Sequence, residues 1–251
     1  MRLSELKEKC IRNYKKITAV LCVIIFVIFS NCVISEKIVC RFTTELTIGI
    51  NNDAITDKDV DNIKGLYFLK TLHIYNGDTN DLSFLENKNH LTDLAIIRQK
   101  YDITDTGINN WSYLRNCKKL KNFEVAGQCN FHNLKDFSEM KDLEKLCISS
   151  EIEPDPVIES LDGLQDISDS LKSLTLTGIE NETNLNLEKF SNLRHLEIKN
   201  SSLREIHVNT YLEYLNVSDN PYLQTVFLPS EYGTPEIIIN NNSPYVNIIY
   251  Q

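Results

Sequence analysis

The chain has 251 residues with a net charge of −9, and 24% of its residues are charged. Alanine occurs only 4 times and glycine only 8 times, which argues against a long helical bundle and against a glycine-rich phosphate loop. Residues 1–35 carry six Lys or Arg against two Asp or Glu, a net +4, so residues 36–251 carry 20 against 33, a net −13. An acidic body repels nucleic acid, and the charge therefore predicts no nucleic-acid partner.

The first predicted element is an apolar run at residues 17–34, which holds no charged residue and follows six basic ones. An 18-residue helix rises roughly 27 Å, close to the thickness of the hydrocarbon core of a bilayer. Basic residues ahead of such a run favour a cytoplasmic N-terminus. We therefore expect a cytoplasmic basic segment (1–16), a single-pass membrane helix (17–35) and an extracytoplasmic domain (36–251). Cleavage of the run as a signal peptide is the alternative, although no A-x-A site is present.

The spacing L-x-x-L-x-L recurs along the rest of the chain. Its nine copies begin at Thr43, Leu69, Leu91, Leu120, Leu143, Leu171, Leu193, Leu212 and Thr234. Apolar residues at positions 4 and 6 of each copy, with mostly polar residues at positions 3, 5 and 7, predict a short strand with one buried face. The return segment after each strand has apolar residues of its own, several at the three-residue spacing of a short helix. One such unit cannot bury its apolar face alone, so the copies must stack into a solenoid.

The turns and ends of the solenoid carry further signals. An Asn at position 9 can satisfy backbone groups where the strand bends away, and this position holds Asn51, Asn220 and Asn242. Because the other copies hold different residues there, we expect irregular turns in the middle of the chain. A capping-box-like Thr56 predicts that the first return segment is a helix. The β-like residues 248–250 (Ile-Ile-Tyr) are expected to cover the last copy.

On these residues the chain resembles a leucine-rich repeat protein from about Thr43 to its C-terminus. The segment LKTLHIYNGDTNDLSFLENKNHL resembles the repeats of internalin-like bacterial surface proteins, and LEYLNVSDNPYL is similar to repeats of secreted bacterial proteins of the same class. The resemblance implies an α/β leucine-rich repeat solenoid. In such a solenoid a curved parallel sheet forms the concave face, and short helices or 3₁₀ turns form the convex side. It also implies protein or glycan binding, although a fold alone does not specify a function.

Two groups of residues have part of the pattern of a metal site. The acidic run at residues 57–61 (D-x-D-x-D) begins like a calcium loop, but Phe68 stands where a bidentate Glu is needed, so a solvated helix face is the better interpretation. Cys117, Cys129 and His132 are three soft ligands, whereas a structural zinc site needs four in compact spacing. We therefore predict no metal and no cofactor. The sequence leaves open whether the cysteines beyond the membrane segment are thiols or disulfides; they are Cys40, Cys117, Cys129 and Cys147.

The residues with nucleophilic potential are Cys147 and Ser149, with His195 two repeats away. Stacked strands lie about 5 Å apart, so two repeats separate His195 from Cys147 by roughly 10 Å. This distance exceeds the hydrogen-bond reach that a general base needs. We therefore expect no enzymatic activity.

The solvent-facing strand positions are the better candidates for function, because exposed aromatic and charged side chains often anchor interfaces. The candidate binding residues on the predicted concave face are His73, Tyr75, Asp93, Ile97, Glu124, Lys145, His195, Glu197 and Tyr214. The main hypothesis is a membrane-anchored, extracytoplasmic protein that binds a protein or glycan through this face. The alternatives are a secreted, signal-peptide-cleaved effector and a structural subunit of an envelope complex that uses its convex side. For each named residue, the remaining interpretation is that it is exposed to solvent and has no role in binding.

Overall fold

The chain divides into two compact units, residues 1–42 and 43–251. The structure is a computed structural model that describes residues 43–49, 57–75, 80–98, 107–150, 155–230, 236–239 and 246–251, all in the second unit. The predicted cytoplasmic segment, the predicted membrane helix and Cys40 lie outside the described residues. So do Asn51, Thr56 and Asn242, on which the predictions about turns and capping depended.

The described residues form strands throughout the repeat region. In chain order these strands are β1 (Glu45–Ile48), β2 (Thr71–Tyr75), β3 (Asp93–Ile97), β4 (Asn122–Ala126), β5 (Asn130–Phe131), β6 (Lys145–Ser149), β7 (Val157–Ile158), β8 (Ser173–Thr177), β9 (Asn184–Leu187), β10 (His195–Lys199), β11 (Glu205–Val208), β12 (Tyr214–Asn216), β13 (Thr225–Leu228), β14 (Glu236–Ile238) and β15 (Asn247–Tyr250). Nine of these strands, one from each repeat copy, each start a new turn of the chain, as the repeat spacing predicts.

The main sheet has nine parallel strands in the order β1-β2-β3-β4-β6-β8-β10-β12-β14. Its register places position 4 of each repeat beside position 4 of the next, as in the pairing of Leu72 with Leu94. The two degenerate copies are in the same phase, since Leu46 of β1 pairs with Leu72 and Ile237 of β14 pairs with Leu215. The repeat copies thus contribute strands that pair in phase, and the solenoid built from them is confirmed.

Alternation along each strand divides the side chains between the core and solvent. In β2, Leu72 and Ile74 are fully buried, whereas His73 between them remains partly exposed. Burying one such aliphatic side chain contributes about 1.5–3 kcal/mol, and the repeat adds further layers of this kind along the sheet. The middle layers also hold an aromatic cluster, in which Trp111 stacks on Phe131 with ring centroids 4.3 Å apart.

The return segments of the first half are short helical turns, as their three-residue spacing predicts. Helix α1 (Asp57–Lys64) is the return segment after β1. The later ones are 3₁₀ turns at Ser83–Leu85, Ser112–Asn116, Lys135–Phe137 and Leu164–Ile167. Asx turns precede three of them: the carboxylate or amide oxygens of Asp81, Asn110 and Asn133 each accept a hydrogen bond from the backbone N–H two residues later.

The return segments of the second half correct the prediction of helices or 3₁₀ turns on the convex side. Here β9, β11, β13 and β15 form a second parallel sheet of four strands. Their inward residues alternate with outward ones, as in β9, where Leu185 and Leu187 are buried and Asn184 and Asn186 are exposed. Spacing of two rather than three residues is the period of a strand, which explains the difference. The C-terminal residues 247–250 are the last strand of this sheet, so their β-like pattern is confirmed.

The Asn at position 9 has the predicted role in the one described repeat that retains it. The amide of Asn220 is fully buried and donates hydrogen bonds to the backbone oxygens of Ile198, Val217 and Ser218. Its oxygen accepts hydrogen bonds from the backbone N–H and the hydroxyl of Ser201 in the preceding repeat. A single side chain thus links two successive turns, and no polar atom of this amide is left without a partner.

A lysine interrupts the apolar column of the return segments. Lys88 makes the same i→i+3 backbone hydrogen bonds as Cys117 and Met140 in the next two repeats. All three residues are fully buried. The Nζ atom of Lys88 donates a hydrogen bond of 3.2 Å to the backbone oxygen of Lys64, the last residue of α1. Burial lowers the pKa of Lys88 to about 8, although the neighbouring Cys117 opposes the shift.

Candidate functional site on the nine-stranded sheet

The solvent-facing side of the nine-stranded sheet, here called the long-sheet face, is the face that the sequence predicts to be concave. Its strand register aligns the outward residues in rows across the repeats. One row contains Thr71, Asp93, Asn122, Lys145, Ser173, His195 and Tyr214, and the next contains His73, Ala95, Glu124, Cys147, Thr175, Glu197 and Asn216. These are the rows read from the sequence, so the predicted positions 3 and 5 face outward together.

A groove of about 410 Å³ lies on this face over β2, β3, β4 and β6. We call it the Asp93 groove; it is lined by His73, Tyr75, Asp93, Leu94, Ala95, Ile97, Asn122, Glu124 and Lys145. Six of the nine candidate residues are among these lining residues. The small side chain of Ala95 lies between larger neighbours in its row, His73 and Glu124, which leaves room for a depression.

Asp93 connects the first two strands of the groove to the third. Its Oδ1 atom lies 2.8 Å from His73 Nε2, and its Oδ2 atom accepts a hydrogen bond of 2.8 Å from Asn122 Nδ2. Both contacts cross between adjacent strands, so the carboxylate is held in one orientation from two sides. Asn122 is not among the candidate residues from the sequence, although the repeat pattern shows the polar row to which it belongs.

Glu124 and Lys145 form the other side of the groove. Lys145 Nζ donates a hydrogen bond of 2.8 Å to Glu124 Oε2 across the β4–β6 pair. Partial burial lowers the pKa of the Lys145 ammonium, but the hydrogen bond and the negative charge of Glu124 outweigh burial and raise that pKa above its ordinary value. The lysine is therefore protonated at neutral pH and is held against its partner.

The other three candidates lie further along the sheet, outside the Asp93 groove. His195 and Tyr214 are neighbours across β10 and β12, with ring centroids 6.3 Å apart. Glu197 accepts hydrogen bonds from Lys199 Nζ at 2.5 Å and from Asn216 Nδ2 at 3.0 Å. The hydrogen bond between Lys199 and Glu197 raises the pKa of the Lys199 ammonium. The structure thus divides the nine candidates into a groove and a separate aromatic and charged group.

The predicted separation between nucleophile and base is confirmed. Cys147 lies on β6 and His195 on β10, with β8 between them. The Cys147 thiol lies 3.5 Å from the Ser149 hydroxyl, and burial raises its pKa, so the thiolate that would act as a nucleophile is disfavoured.

The remaining cysteine and histidine candidates do not converge. Cys117, Cys129 and Cys147 are free and buried, which answers the question of their pairing for the described residues. His132 is exposed and its Nδ1 atom lies 2.6 Å from Glu159, away from the buried Cys129. In the described ranges no three His, Cys, Asp or Glu side chains are grouped as metal ligands.

A smaller depression of about 240 Å³ lies on the four-stranded sheet, and sequence reasoning missed it. His207 and Phe227, adjacent on β11 and β13, stack with ring centroids 4.3 Å apart and face outward. Ile249 of β15 continues their row and is 41% exposed. The alternating pattern of these strands could have revealed the row, because outward aromatic residues are visible once strands replace the expected helical turns.

None of the helices in the described ranges has the length and apolar character needed to cross a bilayer. The predicted membrane helix at 17–35 lies outside those ranges, so the finding concerns the repeat region.

Comparisons with known proteins find similarity among solved structures. No family model matches the chain, and no curated protein matches it in sequence. Among solved structures, the chain is similar to an internalin (inlF) from Listeria monocytogenes str. 4b F2365, with a TM-score of 0.38 and 19% sequence identity. The match covers 73% of this chain and 64% of the internalin chain, so this chain spans less than two thirds of that protein. The internalin is of the class that the sequence resembles. The assignment as a leucine-rich repeat solenoid depends on the repeats and the register of the nine-stranded sheet.

Proposed function

We propose that this protein is a membrane-anchored, extracytoplasmic leucine-rich repeat protein that binds a partner protein through the long-sheet face and performs no catalysis. The observation that carries the proposal is the Asp93 groove, in which six candidate residues from four repeats line one depression. Aromatic, aliphatic and charged side chains occur together there. Such mixtures anchor protein interfaces, whereas the rest of a binding surface mainly provides shape complementarity.

Site-specific photocrosslinking in cells that produce the full chain tests the binding face. Benzoylphenylalanine replaces Tyr75 in the groove, and in a control chain it replaces Tyr222, which is 60% exposed and lies outside the groove. The expected result is a discrete protein adduct from position 75 and none from position 222. Adducts from position 222 alone, or none from position 75, would contradict binding through the groove.

The anchoring part of the proposal is supported by the charge-free run 17–34 and the six basic residues before it. Protease treatment of intact cells should digest the repeat domain. Digestion only after lysis would mean that the repeat domain lies in the cytoplasm. N-terminal sequencing of the mature protein distinguishes the anchor from the secreted alternative. A start near residues 35–37 would mean that the apolar run had been removed.

A second candidate function is favoured by the outward row of His207 and Phe227. In a structural subunit of an envelope complex, the four-stranded sheet would be the contact surface. The same photocrosslinker at position 227 tests this function. An adduct at position 227 with none at position 75 would replace the main proposal, since the contact would then lie on the opposite sheet.

A further inference from the structure

We propose that the partner segment entering the Asp93 groove is basic, and that it presents arginine or lysine side chains to the Asp93 carboxylate and to the Tyr75 ring. The inference rests on the proposed binding function and adds the chemistry of the partner. It is carried by the charge of the groove, by an aromatic side chain in the same groove lining and by the charge of the repeat domain.

The charge of the groove is negative and is concentrated at Asp93. Its lining contains Asp93 and Glu124 against Lys145, a net charge of −1 when histidine is counted as neutral. Lys145 is hydrogen-bonded to Glu124, so these two charges offset each other. The hydrogen-bond contacts of Asp93 are an imidazole nitrogen of His73 and the amide of Asn122, and its charge also interacts with the ammonium of Lys145. Because a carboxylate accepts about four hydrogen bonds, Asp93 keeps capacity for a cationic donor.

Tyr75 provides a second feature that suits a cation. It lies at the end of β2, and its side chain lines the groove together with Asp93 and Ile97. An aromatic face attracts ammonium and guanidinium groups, by about 0.5–1 kcal/mol at exposed sites and more where water is excluded. Arginine suits the site better than lysine, because its planar guanidinium can pair with a carboxylate in two parallel hydrogen bonds.

The repeat domain as a whole favours the same partner. Residues 36–251 carry 20 basic against 33 acidic side chains. A field of this sign attracts basic segments and repels acidic ones before contact, and it does not attract a neutral glycan. Long-range steering and local pairing at Asp93 therefore select for the same charge.

Lys145 provides a gain-of-function test. Its ammonium is hydrogen-bonded to the Glu124 carboxylate. Lys145 is also the one lysine in the lining of the Asp93 groove. The substitution Lys145→Gln removes this charge and exposes a second carboxylate to the incoming cation. A basic ligand should therefore bind the variant more tightly, a result that a merely structural role of Lys145 does not produce.

Titration calorimetry on the full chain, in a polyoxyethylene detergent without sugar groups, tests the inference. The probes are acetylated hexa-arginine, hexa-glutamate and the neutral hexasaccharide chitohexaose, each at low and at moderate salt. We expect hexa-arginine to bind and the other two probes not to bind. Asp93→Asn and Tyr75→Leu should each weaken hexa-arginine binding about five- to tenfold, and Lys145→Gln should strengthen it about threefold.

The control variant is Asp142→Asn, which removes one exposed carboxylate outside the groove. It should change the affinity less than about twofold, because distant surface charges are screened. Equal losses from Asp93→Asn and Asp142→Asn would mean diffuse attraction to an acidic protein and would overturn the inference. So would weaker hexa-arginine binding by Lys145→Gln.

The two proposals have separate outcomes. If chitohexaose binds and Asp93→Asn abolishes that binding, the groove is a glycan site and the basic partner is rejected. If hexa-arginine does not bind but position 75 still gives a protein adduct, the proposed binding face stands and the charge of its partner is wrong. Melting temperatures of the variants, equal to that of the parent chain, exclude loss of the fold as the cause.

Discussion

Lys88 donates a hydrogen bond of 3.2 Å to the backbone oxygen of Lys64 from a fully buried position. The acceptor is at the C-terminal end of α1, where helix carbonyls lack intrahelical partners and favour a positive charge. The lysine thus links the first return segment to the next one. Its cost is a charge that has been removed from water, which lowers the pKa of its ammonium from 10.5 to about 8.

This burial predicts a stability that rises with pH. The folded chain releases the Lys88 proton near pH 8 and the unfolded chain near pH 10.5, so folding becomes more favourable as the pH rises between these values. The full effect is at most about 3 kcal/mol. Lys88→Met should therefore be more stable than the parent at pH 7 by about 1–3 kcal/mol, with the difference shrinking toward pH 10.

Urea unfolding of both chains at pH 7, 8.5 and 10 measures this difference, in which the titration of other groups cancels. A difference that stays constant with pH would mean that Lys88 is not buried in its charged form. A less stable Lys88→Met variant at every pH would mean that the hydrogen bond to Lys64 outweighs the burial of the charge.

Substitution of Gly178 should cause a large loss of stability. It follows β8 with φ at +79°, and a Cβ atom there would lie 1.8 Å from the backbone oxygen of Pro156. The Gly178→Ala variant must therefore adopt a left-handed conformation and also displace backbone, for a loss of about 3 kcal/mol. Thermal melting followed by circular dichroism measures the loss.

Gly65 is the matched control, because a Cβ atom there would make an ordinary contact of 3.5 Å with the backbone oxygen of Asn62. Gly65→Ala should change the stability by less than about 1 kcal/mol. Equal effects at the two positions would show that the close approach at Gly178 does not determine its residue type.

Substitution of Asn220 should cause a loss of stability that is specific to its position. Asn220→Ala leaves buried backbone oxygens in three residues without their amide donor, and it removes the acceptor of Ser201. Unsatisfied buried groups cost about 1–3 kcal/mol each, and partial relaxation should leave a total loss of about 3 kcal/mol. Asn209→Ala, at an exposed position one repeat earlier, should cost less than about 0.5 kcal/mol in the same urea titration. Comparable losses would show that the Asn at position 9 of the repeat does not stabilise the turn.

The strand register could be predicted from the sequence because leucine spacing and strand alternation act locally and in the same phase in every repeat. The second sheet did not follow from the helical spacing of the return segments, although the two-residue spacing of Leu185 and Leu187 is that of a strand. The burial of Lys88 could not be predicted either, since a lysine in a single sequence gives no sign that it lies in the core. The rows containing Asp93 and Glu124 followed from the repeat, but the groove depends on Ala95 being small between larger neighbours. That fit depends on packing across strands.

The buried thiols predict a ranked reactivity. Cys117 and Cys129 are fully buried, whereas Cys147 is 9% exposed on the long-sheet face. Burial raises the pKa of Cys117 to about 12 and also raises the pKa values of Cys129 and Cys147, so little reactive thiolate forms at pH 8. With iodoacetamide at pH 8, peptide mass spectrometry should detect modification at Cys147 first, and at Cys117 and Cys129 only in denaturant.

The denatured chain is the control, since all three thiols should then react at similar rates. Early modification of Cys129 in the native protein would mean that the middle repeats open, because its thiol is otherwise closed off from solvent.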